Sequence, residues 1–60
     1  MDRREAIDLL PEAYAVALRR ADRGDSHEQI GAELGVDDVA QLLAIGERKL
    51  AAILAGAEVP

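Results

Sequence analysis

The sequence predicts an all-α fold, a small three- to four-helix bundle containing a helix-turn-helix, and three observations carry that prediction. Apolar residues recur at three- and four-residue spacing through both halves of the chain, as the buried stripe of an amphipathic helix requires. Start and stop signals punctuate the pattern, with Pro11 and Ser26 at starts and Gly24 and Gly35 at ends. Half of the residues are hydrophobic, yet Tyr14 is the sole aromatic, and a core of Ala, Leu, Ile and Val favours packed helices over a sandwich or barrel. Sixty residues leave room for one domain, residues 1–60. Ordering costs roughly 1.5 kcal/mol per residue, which a core of this size offsets only narrowly, so dimerisation or docking on a larger partner is an open expectation.

Residues 1–10 read as a short helix or arm anchored by Ile7 and Leu10. Pro11 is suited to the first position of a second helix, where its missing N–H costs nothing, and Glu12 complements that helix's positive end. This helix is expected over residues 11–23. Ile7, Leu10, Tyr14, Ala17, Leu18 and Ala21 recur at three- and four-residue spacing as a stripe through the arm and this helix that can cover the later motif, and Gly24 follows as a cap. Arg19, Arg20 and Arg23 fall near its end, where they complement the dipole on a solvated face; the alternative is a basic patch for a partner.

The stretch from Ser26 to Leu54 organises the rest. Ser26 and Gln29 have the spacing of a capping box, so a scaffold helix is expected over residues 26–34, ended by Gly35. Ile30 and Leu34 share one face of it, with Gly31 beside them to admit a second helix at close range. Val36 then plugs into the core, Asp37 or Asp38 caps again, and a second periodic run opens at Val39. Val39, Leu42, Leu43, Gly46, Leu50, Ile53 and Leu54 form one stripe, which predicts a long recognition-like helix over residues 37–55. A lone Gly inside such a helix costs only about 1 kcal/mol.

Charge and composition narrow the function. The net charge of −5 opposes nonspecific affinity for nucleic acid. Five arginines lie in the first half, and Arg48 and Lys49 lie near the end. Between Gly24 and Glu47 there is no Lys or Arg, and that interval carries Asp25, Glu28, Glu33, Asp37 and Asp38. Cysteine is absent, which excludes a disulfide framework and thiolate metal sites. With a single His and dispersed carboxylates, no metal site, cofactor or catalytic constellation emerges, and Ser26 is committed as a cap. An enzyme acting on a small-molecule substrate is not expected. No apolar run approaches the ~20 residues of a membrane span, so the expected location is the cytoplasm.

The run LLPEAYAVALRRADRGDSHEQIGAELGV resembles the C-terminal fourth region of bacterial sigma factors, particularly the extracytoplasmic-function kind. Leu10, Pro11 and Glu12 match that region's Leu-Pro-Glu start, Gly24 and Ser26 its link, and Ile30, Leu34, Gly35 and Val36 its scaffold helix and turn. The resemblance implies a transcription-related module that binds promoter DNA and docks on RNA polymerase or another transcription protein. The second half departs from the family. Where its recognition helix carries Arg, Lys or Ser, this chain has Ala40, Leu42, Ala44 and Ile45, with Gln41 the one hydrogen-bonding side chain before Glu47.

A second register competes with the first. LGVDDVAQLLAIGERKLAAIL is similar, without gaps, to the helix-turn-helix of excisionases and mercury-resistance-type regulators. That resemblance implies a turn at Ala44, Ile45 and Gly46, and a short recognition helix opening at Glu47, Arg48 and Lys49. The two registers exclude each other locally.

In a single long helix, Leu42, Ile45 and Ile53 flank the main stripe. Either the N-terminal arm covers them or they form the interface of a homodimer. Two functions follow from the sequence. One is a DNA-binding transcriptional regulator with Gln41, Arg48 and Lys49 as contacts and Ser26 and His27 near a backbone phosphate. A lone His in a first helical turn is more often simply solvent-facing. The other function is an acidic protein-interaction module of the same fold that leaves DNA untouched.

Overall fold

The computed structural model describes residues 1–56, which form four helices and, among the described residues, no strand. The last four positions of the single domain expected from the sequence lie outside the described residues. Helix α1 spans Arg3–Asp8, α2 Glu12–Arg23, α3 His27–Leu34 and α4 Val39–Leu54.

Local chemistry sets each end. Asp2 caps α1: its carboxylate accepts from the Glu5 amide at 2.9 Å while the Glu5 side chain accepts from the Asp2 amide at 3.1 Å. This Asp-x-x-Glu box gives the N-terminal arm a defined helix start, a signal that apolar spacing alone does not register. Pro11 precedes α2 rather than opening it, because its ψ of 148° is extended. Its carbonyl nevertheless accepts the first helical bond, from Ala15. Gly24 closes α2 in the left-handed region at φ 103°, and the Asp25 amide bonds back to the Arg20 carbonyl. At Ser26 the hydroxyl accepts from the Gln29 amide at 3.1 Å, and the Gln29 side chain accepts from the Ser26 amide at 2.9 Å. Gly35, at φ 68°, ends α3. Asp38, not Asp37, caps α4 by accepting from the Gln41 amide at 3.1 Å.

Helix α4 runs unbroken from Val39 to Leu54, so Ala44, Ile45 and Gly46 are helical. The turn that the second register places there does not form. The physical reason is Gly46, which is buried where α4 crosses α2. A Cβ at Gly46 would lie 3.3 Å from Leu18 Cδ1 and 3.6 Å from Tyr14 Cβ, so hydrogen there lets the two helices meet at close range.

The core divides in two. Ala6, Ile7, Leu10, Ala15, Leu18 and Leu50 join α1, α2 and α4, with Tyr14 and Ile53 at the edge. Ala17, Ile30 and Val39 join α2, α3 and α4, with Leu34, Val36 and Leu42 at the edge. Leu43 touches both clusters. Helix α4 therefore packs on each of the other three, whereas α1 and α3 do not meet. Leu18, Ile30 and Leu50 are the largest fully buried side chains, and truncating any one to Ala removes about 2–5 kcal/mol.

A candidate nucleic-acid interface

The candidate surface is built from α3, the turn over residues 35–38 and α4. The turn is short because Gly31 permits it. The Val36 amide donates to the Gly31 carbonyl at 3.0 Å, and the chain folds back so tightly that a Cβ on Gly31 would sit 2.7 Å from the Val36 carbonyl oxygen and 3.2 Å from Val39 Cγ2. The close approach is thus made mainly by the turn's own backbone, and it fixes where α4 begins.

On α4, residues spaced by three and four share a face. Val39, Gly46 and Leu50 point inward and are buried. Gln41, Ala44, Arg48 and Ala52 lie on the opposite side and are exposed. At 1.5 Å per residue, Gln41 and Arg48 stand about 10 Å apart along the axis, comparable with the ~12 Å width of a major groove. Neither Asp nor Glu occurs on this outward face. Glu47 projects to one side and is held by Arg3. The alanines leave the backbone open to close approach.

The other predicted contacts are dispersed. Lys49 sits one residue round the helix from Arg48, with Nζ 5.5 Å from the centre of the Tyr14 ring, a cation–π contact that draws it toward α2. Ser26 has its oxygen engaged by the capping bond. His27 is exposed at the first position of α3 and borders a shallow depression with Glu28, Asp37, Asp38 and Ala40. A phosphate approaching Ser26 or His27 meets carboxylates there. The structure therefore brings Gln41 and Arg48 together on one face and leaves Ser26, His27 and Lys49 outside it.

The three apolar candidates also separate. Leu42 packs against the cluster of Ala17, Ile30 and Val39, and Ile53 packs against that of Leu18 and Leu50, so both serve the core of the protomer. Ile53 thus packs where α1, α2 and α4 meet, and Leu42 where α2, α3 and α4 meet. Ile45 is half-buried and belongs to neither cluster.

Most cations are already engaged. Arg3 donates to Asp22 at 2.9 and 3.0 Å and to Glu47 at 3.1 and 2.6 Å, joining α1, α2 and α4 at one guanidinium. These bonds raise the Arg3 pKa, with Glu47 the larger cause, and the Arg3 hydrogen bonds hold the Asp22 carboxyl below its ordinary range. Arg19 pairs with Asp8. Arg20 lies 3.3 Å from Glu33, and Arg23 reaches Asp25 at 2.6 Å, which depresses the Asp25 pKa through the hydrogen bond. Among the described residues, only Arg4 and Arg48 have neither a carboxylate nor a ring as partner. The Arg3 clamp was not visible in the sequence, since its partners lie 19 and 44 residues away.

No helix among the described residues is long and apolar enough to cross a membrane. Comparison with protein-family models, with curated proteins and with solved structures returns no match for this chain.

Proposed function

We propose that this chain is a small cytoplasmic helix-turn-helix protein of transcription, similar to the fourth region of sigma factors, that binds DNA through the outward face of α4. It acts by binding rather than by catalysis. The observation that supports this reading most is the acid-free face carrying Gln41 and Arg48, in a chain with twelve Asp and Glu residues. An amide side chain pairs with the N6 and N7 edge of adenine, a guanidinium pairs with O6 and N7 of guanine, and alanine suits a thymine methyl group. Selection from a random duplex pool tests the reading. The expected outcome is a short consensus whose positions relax one at a time in Gln41→Ala and Arg48→Ala; a pool that never enriches overturns it.

A second reading is favoured by a different observation. Ala44, Ala51 and Ala52 share the outward side of α4 with half-buried Ile45, and four of the seven cations are held in ion pairs. Such a face suits a second copy of the chain, RNA polymerase or another transcription protein better than a phosphate backbone. Sedimentation equilibrium at tens of micromolar tests the homodimer, with Ile45→Glu as the variant that spares the core. A monomer mass for the parent protein removes it.

A further inference from the structure

We infer that Tyr14 is a positioning residue for the α4 face: its ring holds the Lys49 ammonium back from DNA phosphates and so limits the charge-driven part of binding. This role, which rests on the DNA-binding reading above, falls to a residue of α2 that itself touches no DNA.

The arrangement is built outward from the helix crossing. Gly46 has no side chain, so α2 closes on α4 until Tyr14 Cβ stands 3.6 Å from where a Gly46 Cβ would be. Lys49 lies three residues on from Gly46, on the next turn of the same flank. Its Nζ is 5.5 Å from the centre of the Tyr14 ring, within the range of a cation–π contact. The ring is itself held, because Tyr14 is half-buried and packs against the cluster that includes Ile7, Leu10, Leu18 and Leu50.

The kind of partner matters. Arg3, Arg19, Arg20 and Arg23 are paired with carboxylates, and among the described residues Lys49 is paired with none. A carboxylate beside Lys49 would place negative charge next to Gln41 and Arg48 and repel a duplex. An aromatic ring restrains the cation and adds no charge. The two neighbours on α4 thereby take different parts. Arg48 is free to offer a planar fork to a base edge, whereas a lysine ammonium is a point charge that meets phosphates of any sequence. With Lys49 withheld, the duplex is held by one phosphate contact fewer than the charges of α4 permit.

The test is affinity against salt concentration for a selected duplex and a random-sequence duplex. Lys49→Gln changes only an exposed side chain and is expected to leave both affinities and the salt slope unchanged. Tyr14→Leu keeps apolar bulk without the ring. It is expected to raise both affinities about two- to fivefold and to steepen the slope by about 0.9, the contribution of one phosphate. Tyr14→Phe should match the parent, and Tyr14→Leu should gain nothing when Lys49→Gln is also present. A readout without DNA accompanies these: the Lys49 side-chain methylene protons are expected upfield of their ordinary position in the parent and in Tyr14→Phe but not in Tyr14→Leu, since Tyr14 is the only Phe, Tyr or Trp in the chain. An ordinary Lys49 shift in the parent overturns the inference and leaves the α4 reading in place. So does a slope that shrinks by about 0.9 in Lys49→Gln, an unchanged affinity in Tyr14→Leu, or a gain that persists without Lys49. Failure of every variant to bind any duplex while the upfield shift is present overturns the DNA-binding reading, and the inference with it.

Discussion

Arg3 donates to both carboxylate oxygens of Glu47, at 3.1 and 2.6 Å, and so fastens the first turn of α1 to the middle of α4 across 44 residues of chain. The pair is about half exposed, and exposed ion pairs contribute between nothing and about 1 kcal/mol each. A fork-to-carboxylate geometry shared with Asp22 places this one near the upper end. A double-mutant cycle with Arg3→Met and Glu47→Gln is expected to give a coupling on the order of 0.5–1 kcal/mol, the Met retaining the apolar stem. Strict additivity would mean that the contact with Glu47 adds nothing to the packing of Ala6, Ile7 and Leu10 and to the Arg3–Asp22 and Arg19–Asp8 pairs in holding α1.

The same guanidinium predicts an acid response. Hydrogen bonds from Arg3 depress the folded pKa of Asp22 below its unfolded value, so the stabilisation is complete above the ordinary carboxylate range of about 4 and fades as pH falls through the folded pKa. Asp25, depressed through Arg23, follows the same sign. Thermal stability is expected to be flat with respect to these two groups from neutrality down to about pH 4 and to fall below it. Asp22→Asn should shrink that fall, and an unchanged profile would show that the pairing does not persist in solution.

Two glycines separate turn geometry from helix packing. Gly31→Ala places a methyl 2.7 Å from a backbone oxygen that cannot move aside, and a loss of about 1–3 kcal/mol is expected despite the better helix propensity of Ala. Gly46→Ala meets the side chain of Leu18 at 3.3 Å, which yields by a few tenths of an ångström. Its loss is therefore expected to be the smaller of the two. Chemical denaturation of both variants checks the order, and the reverse order would misplace the crossing of α2 and α4.

Ser26→Ala removes the hydroxyl that accepts from the Gln29 amide and is expected to cost about 1 kcal/mol. Its melting curve should lie below that of the parent, and overlaid curves would place the start of α3 elsewhere.

The all-α class was legible in the sequence because aliphatic spacing and glycine stops are local signals. Ser26 with Gln29 is readable for the same reason: a cap involves residues three apart. The continuity of α4 was harder to read, since Gly46 serves equally as a turn residue and as a small residue at a helix crossing. Only the position of Leu18 decides between them, and that is a tertiary fact. Leu42, Ile45 and Ile53 looked alike on a helical stripe, yet Leu42 packs against one buried cluster, Ile53 against the other and Ile45 against neither. Which partner covers a flank depends on where the neighbouring helices lie. Likewise the count of cations was plain, but their engagement by Asp8, Asp22, Asp25, Glu33 and Glu47 was not, because four of these five pairings join different helices and the fifth joins a helix to its flanking loop. Gln41 and Arg48 could be paired from helical spacing, and the withdrawal of Lys49 over Tyr14 could not.

The most direct test of the α4 interface is the affinity for a selected duplex measured against salt concentration, for the parent protein and for Arg48→Ala/Lys49→Ala. With so few cations free to meet phosphates, the slope of log affinity on log salt is expected to be about −2 to −4, and binding should be lost in the double variant. A slope steeper than about −6, or binding that survives the double change, would put the phosphate contacts on the arginines of α1 and α2 and contradict the assignment of the outward face of α4.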